Sequence, residues 1–172
     1  MRMVWTVLAS LAAGMATAAP GEAVFPSIDG GEIALSDFRG QPVLVVNTAS
    51  QCAFTRQYEG LQALQDRYAD RGLVVLAVPS DDFNQELETA EEIKEFCEIN
   101  YNLTLPMTDM THVRGPQAHP FYRDVQADTG FTPRWNFNKV LLNGEGDVVR
   151  TWGSSARPLS ASVTGEIEAL LD

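Results

Sequence analysis

Two cysteines, Cys52 and Cys97, are the residues of this 172-residue chain with the most reactive side chains. Two thiols are too few to hold a fold together by disulfides, so their own chemistry becomes the question. Cys52 follows the apolar run 43–46 and precedes a helical pattern that begins at Phe54. At such a junction the unpaired amides and dipole of the helix favour the thiolate, the nucleophilic form of cysteine. The alternative for Cys52 is a small buried hydrophobic side chain.

Other kinds of reactive site have little support in the sequence. Thr55 stands where a Cys-x-x-Cys motif would have its second thiol, so the disulfide-exchange motif is absent. His112 and His119 form no ligand pattern with the cysteines, and we interpret both as surface or structural residues rather than metal ligands. The sequence also lacks a glycine-rich phosphate-binding loop. We therefore expect no metal and no cofactor.

Strands and helices alternate around these residues. Apolar runs at 43–46 and 73–78 predict buried parallel strands, and the apolar stripe of residues 54–68 predicts the helix between them. Thr89 and Glu92 form a capping-box pattern that starts the helix carrying Cys97. The remaining predicted elements are a hairpin around Gly30 and Gly31, a helix over 121–125, a hairpin over 140–149 and a closing helix over 163–171. This order predicts an α/β, thioredoxin-like fold: a central mixed β-sheet flanked by helices, with an N-terminal β-hairpin.

The first eighteen residues have the pattern of a secretory signal peptide. Arg2 supplies a positive start, residues 4–14 are uncharged and mostly apolar, and residues 16–18 are Ala-Thr-Ala. The apolar stretch is shorter than the ~20 residues of a membrane span, so we expect no stable membrane insertion. We predict cleavage after Ala18 or one residue later, one domain over residues 19–172, and export to a bacterial periplasm, with secretion as the alternative. The alternative for the segment itself is an N-terminal core helix or a membrane anchor.

Composition limits the partners of the domain. Hydrophobic residues make up 45% of the chain and charged residues 20%, which is typical of a globular protein and excludes a disordered one. The net charge is −11, from 23 acidic and 12 basic residues. Nucleic acids and anionic membrane surfaces would be repelled by that charge, so neither is an expected partner.

Three segments together carry a family resemblance. Residues 47–55 read Asn-Thr-Ala-Ser-Gln-Cys-Ala-Phe-Thr, residues 78–86 lead from Val-Pro to Gln-Glu, and residues 135–139 read Trp-Asn-Phe-Asn-Lys. In order and spacing they resemble the signature segments of the glutathione peroxidases, over about residues 25–171. The resemblance implies a thiol peroxidase that serves antioxidant defence, with a catalytic tetrad at Cys52, Gln85, Trp135 and Asn136. Neutral amide and indole donors suit this chemistry, because they stabilise a thiolate and a leaving oxygen without a tight ion pair.

Taken one by one, three of these positions have simpler interpretations. Trp135 would serve as a core aromatic, Asn136 as a turn residue and Gln85 as a solvated loop side chain. A peroxiredoxin, another thiol peroxidase, is disfavoured because Ala49 stands where its Pro-x-x-x-Thr-x-x-Cys pattern requires threonine. A peroxide sensor that passes its disulfide to a partner protein is the alternative function.

Cys97 extends the resemblance to the two-cysteine, thioredoxin-dependent members of the family, in which a similar segment holds the resolving cysteine. That similarity implies that Cys52 becomes a sulfenic acid, condenses with Cys97, and is recycled by a thioredoxin-like protein or glutathione. The two cysteines are 45 positions apart (97 − 52). A disulfide needs Cα atoms within roughly 7 Å, and we expect the two cysteines to lie farther apart than this in the reduced fold. The helix that begins near Thr89 would then have to unwind locally, as the resemblance also implies. The alternative for Cys97 is a buried helix thiol beside Phe96.

Departures from the family pattern refine the expected substrate and assembly. The loop between Phe83 and Gln85 is one residue shorter than in many members, and Ala53 replaces a common glycine. The insertion that resembles the tetramer contact of some animal members is missing, which favours a monomer. The open surface that this leaves would admit lipid hydroperoxides as well as hydrogen peroxide.

The reductant is less constrained by the sequence. Glutathione is anionic and this chain is acidic, whereas a resolving cysteine favours a thioredoxin-like dithiol. Four cationic residues, Arg56, Arg134, Lys139 and Arg157, would form a local positive rim if they lay together.

Overall fold

A four-stranded mixed sheet runs through the centre of the molecule in the computed structural model, which describes residues 19–171. Its strands are β3 (Val43–Thr48), β4 (Val74–Pro79), β5 (Lys139–Leu142) and β6 (Val148–Trp152), in the spatial order β4-β3-β5-β6. β3 and β4 are parallel, while β5 runs antiparallel to both β3 and β6. The predicted buried strands and mixed sheet are confirmed. The predicted signal peptide lies outside the described residues.

The predicted N-terminal hairpin is also present. It consists of β1 (Val24–Pro26) and β2 (Glu32–Ala34), which pair antiparallel. Gly30 and Gly31 both have positive φ, 86° and 76°, which is why this turn favours glycine. Ile28 lies in the connection rather than in a strand, because the Ser27 N–H closes the turn onto the Gly31 carbonyl.

Within the described residues, four α-helices cover the two faces of the sheet: α1 (Gln57–Tyr68), α2 (Ala90–Tyr101), α3 (Pro120–Thr129) and α4 (Ala161–Leu171). Alternate side chains of β3 point to opposite faces. Leu44 and Val46 pack in one core with residues of α1, α2 and α4, whereas Val43 and Val45 pack in another with α3 and the hairpin. None of the helices within residues 19–171 has the length and apolarity to cross a membrane.

The capping box at the start of α2 is formed as predicted. The Thr89 hydroxyl accepts from the Glu92 N–H at 3.2 Å, and the Glu92 carboxylate accepts from the Thr89 N–H at the same distance. By contrast, α1 begins at Gln57 and not at Phe54. Residues 53–56 form tight turns instead, in which the Gln57 N–H bonds the Phe54 carbonyl. Cys52 therefore lies on a turn that precedes the helix.

Candidate active site

Residues 49–55, here called the nucleophile turn, connect β3 to α1 and carry Cys52. The Thr55 hydroxyl oxygen accepts from the Cys52 N–H at 3.0 Å and lies 2.6 Å from the Cys52 carbonyl oxygen. It also lies 3.0 Å from the Ala49 carbonyl oxygen. The side chain at the position of the missing second thiol thus closes the turn around the cysteine. Sequence reasoning noted Thr55 only as an absence.

The Cys52 side chain is nearly buried, with 9% of the residue exposed. Its Sγ accepts a hydrogen bond from the Phe54 N–H at 3.4 Å. The sequence led us to expect amide donors to the sulfur at the N-terminus of α1. The donor, however, belongs to the turn before the helix.

Gln85 and Asn136, predicted to act together, are in contact. Asn136 Nδ2 donates to Gln85 Oε1 at 3.2 Å, and the Gln51 N–H donates to the Gln85 carbonyl at 2.9 Å. Asn84 has a positive φ of 54°, a conformation that asparagine tolerates, and its N–H bonds back to the Asp81 carbonyl. This tight turn delivers Gln85 despite the shortened loop.

Trp135 completes the group of predicted site residues. Its ring packs on Phe83, with centroids 5.4 Å apart, and is 39% exposed, so it is not the core aromatic of the simpler interpretation. The three segments meet because the parallel strands β3 and β4 end at the edge of the sheet where the antiparallel β5 begins. Within residues 19–171, no hydrogen bond joins Cys52 Sγ to the side chain of Gln85, Trp135 or Asn136.

Asn47 holds the turn that presents Trp135 and Asn136. Its Nδ2 donates to the Trp135 carbonyl and its Oδ1 accepts from the Asn138 N–H, both at 3.0 Å. The Asn47 carbonyl accepts from the Phe137 N–H at 2.6 Å, and Phe137 has a left-handed φ of 61°. The first residue of the signature segment 47–55 is therefore a positioning residue, which the motif alone did not reveal.

Glu86 ties the Gln85 loop to the nucleophile turn from the buried side. Glu86 Oε1 accepts hydrogen bonds from the Ser50 N–H and from the Leu87 N–H, each at 2.9 Å. Burial raises the pKa of the Glu86 carboxyl, and the hydrogen bonds from Ser50 and Leu87 oppose that rise. Its place beside Gln85 in the motif was the one available signal of this role.

Cys97 lies on α2 and is 1% exposed. It belongs to the same core cluster as Cys52, and both cysteines are free thiols. Burial raises the pKa of the Cys97 thiol to about 11, and the Tyr58 hydroxyl opposes this shift. Tyr58 also packs on Tyr101 at the end of α2, with ring centroids 5.3 Å apart. In the reduced fold Cys97 is therefore a protonated, sheltered thiol.

Only two of the four cationic residues considered for a positive rim lie together. Lys139 is fully buried, because β5 places it in the interior of the sheet between β3 and β6. Arg56 and Arg157, both exposed, line a common cavity of about 720 Å³ beside the nucleophile turn. Arg134 lines a different cavity, of about 310 Å³. Two of the four cations thus come together.

Both histidines make structural contacts. His119 stacks on Phe25 with ring centroids 4.1 Å apart, and its Nδ1 accepts from the Phe121 N–H at the start of α3. The half-exposed His112 pairs through Nδ1 with the Asp82 carboxylate at 2.7 Å. In the described part of the chain, no group of His, Cys, Asp and Glu side chains has the arrangement of a metal site.

Comparisons with known proteins identify a family model and a relative that match most of this chain. The family model for glutathione peroxidase matches residues 22–126. The hydroperoxy fatty acid reductase gpx1 of Synechocystis is 42% identical over 156 residues, which cover 84% of this chain and 91% of the relative.

Two solved structures have the same fold. The crystal structure of apo Trgpx has a TM-score of 0.69 and 29% identity, covering 90% of this chain and 96% of its own. A thioredoxin family protein from Chlorobium tepidum, 14% identical, has a TM-score of 0.66 over 90% of this chain and 98% of its own, which confirms the thioredoxin-like fold. The chain belongs to the glutathione peroxidase family and is a thiol peroxidase.

Proposed function

We propose that this peroxidase reduces hydrogen peroxide and organic hydroperoxides, lipid hydroperoxides included, through Cys52, with Cys97 as the resolving cysteine. The observation that carries the proposal is the contact between Asn136 Nδ2 and Gln85 Oε1 at the same edge of the sheet as the nucleophile turn. Because Gln85 accepts through its oxygen, its amide nitrogen is a donor that this contact does not use. A donor at this edge is suited to a peroxide oxygen.

In the first step, the Cys52 thiolate attacks one oxygen of the hydroperoxide. An S–O bond forms, the O–O bond breaks, and the second oxygen leaves, taking up a proton from the solvent to become water or an alcohol. Cys52 is oxidised to the sulfenic acid and the peroxide is reduced. Amide donors from Gln85 and Asn136 and the indole N–H of Trp135 would stabilise the charge that develops on the leaving oxygen.

In the second step, Cys97 attacks the sulfur of the sulfenic acid. The S–S bond forms, and the hydroxyl group leaves with the proton of the Cys97 thiol as water. A thiol with a pKa of about 11 is a weak nucleophile at neutral pH while it stays buried. Exposure of Cys97 by local opening of α2 would remove that burial. The burial of Cys97 on α2 supports a local unwinding that begins near Thr89.

The cavity beside the nucleophile turn supports bulky substrates. Ala53 and Phe54, which directly follow Cys52, line it together with Pro158 and Leu159, an apolar surface suited to an acyl chain. The relative from Synechocystis carries the name of a fatty acid hydroperoxide reductase, which supports the same substrate class. Its name, like that of the family, is that of an enzyme with turnover, which disfavours the sensor alternative.

For the reductant we propose a thioredoxin-like protein, since a disulfide between two protein cysteines is the substrate that a dithiol reduces. Glutathione is the second candidate. The signal-peptide pattern supports export to the periplasm, or secretion, which cell fractionation of the tagged full-length chain would test. We further propose a monomer, which light scattering would test.

A coupled assay tests this function. Consumption of NADPH is followed with hydrogen peroxide or a fatty acid hydroperoxide, and with either the thioredoxin or the glutathione recycling system. We expect turnover with thioredoxin, none in Cys52→Ser, and a single oxidation without recycling in Cys97→Ser. Full thioredoxin-coupled turnover in Cys97→Ser would contradict the resolving role.

A further inference from the structure

Lys139 is a buried charged residue that the proposed reaction leaves without a role. The chain has two lysines, and the other, Lys94, is exposed and pairs with Asp29. Lys139 is fully buried, and no salt bridge to it is found among residues 19–171. Lysine is almost never fully buried without a counter-ion, because removing the ammonium from water is costly. A fold that retains such a group has a use for its hydrogen bonds.

The two acceptors of Lys139 belong to the two halves of the site. Its Nζ donates to Gln57 Oε1 at 2.8 Å and to the Phe137 carbonyl at 2.7 Å. Gln57 is the first residue of α1 and lies two residues after Thr55, the last residue of the nucleophile turn. Phe137 follows Asn136 in the chain. Lys139 therefore bridges the segment after Cys52 and the segment that presents Asn136.

The bridge ends on a strained residue. Phe137 has a φ of 61°, in the left-handed region that is unfavourable for an aromatic side chain. Its N–H donates to the Asn47 carbonyl and its carbonyl accepts from Lys139, so both backbone polar groups of Phe137 are hydrogen-bonded. Strain of this kind persists only where the surroundings impose it, and it is concentrated at functional sites.

We propose that Lys139 is a positioning residue for peroxide reduction, which fixes the orientation of Asn136 and Trp135 relative to the nucleophile turn. This inference rests on the proposed function, because it assumes that those two side chains assist Cys52. Lys139 acts through Phe137 and Gln57 and touches no reacting atom.

The protonation of Lys139 offers a direct view of the bridge. Burial lowers the pKa of its amino group to about 7, and no charged side chain contributes to this shift. Across the sheet its neighbours are Val46 and Trp152, and on α1 its partner is the neutral Gln57. A carboxylate in place of the Gln57 amide would be a counter-ion at the same position and would raise the pKa.

The test compares two reactions of Cys52 in wild type, Lys139→Met and the control Lys94→Met. Oxidation by hydrogen peroxide requires the donors on Asn136 and Trp135, whereas alkylation by iodoacetamide requires only an accessible thiolate. We expect Lys139→Met to slow oxidation by about tenfold or more while alkylation is unchanged, and Lys94→Met to match wild type in both. Equal oxidation in Lys139→Met and wild type, or equal slowing of both reactions, would overturn the inference.

Wild type that alkylates but does not react with peroxide would instead refute the proposed function, and this inference with it. A second measurement covers the case in which Lys139→Met does not fold. With two lysines in the chain, ¹³Cε-lysine NMR gives two signals that can be titrated separately. We expect the Lys139 signal to titrate near neutrality in wild type and at clearly higher pH in Gln57→Glu. The same titration in both proteins would overturn the bridge.

Discussion

Burial of Lys139 makes the stability of the fold depend on pH in a defined direction. The pKa of its amino group is lowered from 10.5 to about 7 in the folded protein. Between these values the unfolded chain binds a proton that the folded protein does not, so the free energy of unfolding rises with pH. Below pH 7 both states are protonated and the full cost of the buried charge is present. Lys139→Met removes this dependence.

The effect is best measured between about pH 7 and pH 9. A difference of one bound proton between the unfolded and folded states changes the free energy of unfolding by about 1.4 kcal/mol per pH unit. Because folded Lys139 is only half deprotonated at about pH 7, the free energy of unfolding rises by about 2 kcal/mol over this range. Cys97 sets the upper limit: its pKa is raised from 9.0 to about 11, so it lowers stability as pH increases beyond its unfolded value. Burial lowers the pKa of His119 from 6.5, so His119 titrates below this range.

The assay is urea unfolding of the reduced protein at several pH values in this range, followed by circular dichroism. From about pH 7 to about pH 9, the free energy of unfolding of wild type and of Lys94→Met is expected to rise by about 2 kcal/mol more than that of Lys139→Met. Groups common to the three proteins cancel in this difference. The change with pH is the diagnostic quantity, because methionine also removes two hydrogen bonds and so alters the absolute stability. A parallel rise in Lys139→Met would refute the reasoning.

Three further predictions concern the contacts that build the site. Glu86→Ala leaves the Ser50 and Leu87 N–H groups without their acceptor, so the free energy of unfolding measured in urea should fall by about 2–4 kcal/mol. Glu86→Gln should lower it by less, and equal losses in the two variants would contradict this. Thr89→Ala removes the cap of α2 and should destabilise this helix by about 1 kcal/mol. Because α2 then opens more easily, disulfide formation followed by stopped-flow fluorescence should be faster, and a slower reaction would count against opening of α2. Asn136→Ala should slow Cys52 oxidation by about 10²-fold, and an unchanged rate constant would exclude its donor role.

Local patterns were sufficient to predict most of the fold. The apolar runs of β3 and β4 and the capping box of α2 are signals carried by neighbouring residues, and each corresponds to an element of the structure. The start of α1 was misplaced because Phe54, although it lies in a turn, also packs against the core that the helix faces. An apolar stripe does not distinguish the two conformations.

The supports of the site depend on contacts that no local pattern contains. Asn47 bonds residues 88 and 91 positions away, and Lys139 reaches 82 positions back to Gln57. A lysine in a sequence is most simply interpreted as exposed, and only the pairing of β5 between β3 and β6 buries this one. Arg56 and Arg157 share a cavity for the same reason: the order of the elements in space brings them together.

The central claim is that Cys52 and Cys97 form one redox pair. Its most direct test is intact-mass and peptide analysis of the reduced protein after one equivalent of hydrogen peroxide. The proposed mechanism predicts a monomeric product that is lighter by two hydrogen atoms, with a disulfide that joins the peptides of Cys52 and Cys97. A product in which Cys97 remains a free thiol while Cys52 carries added oxygen would contradict it.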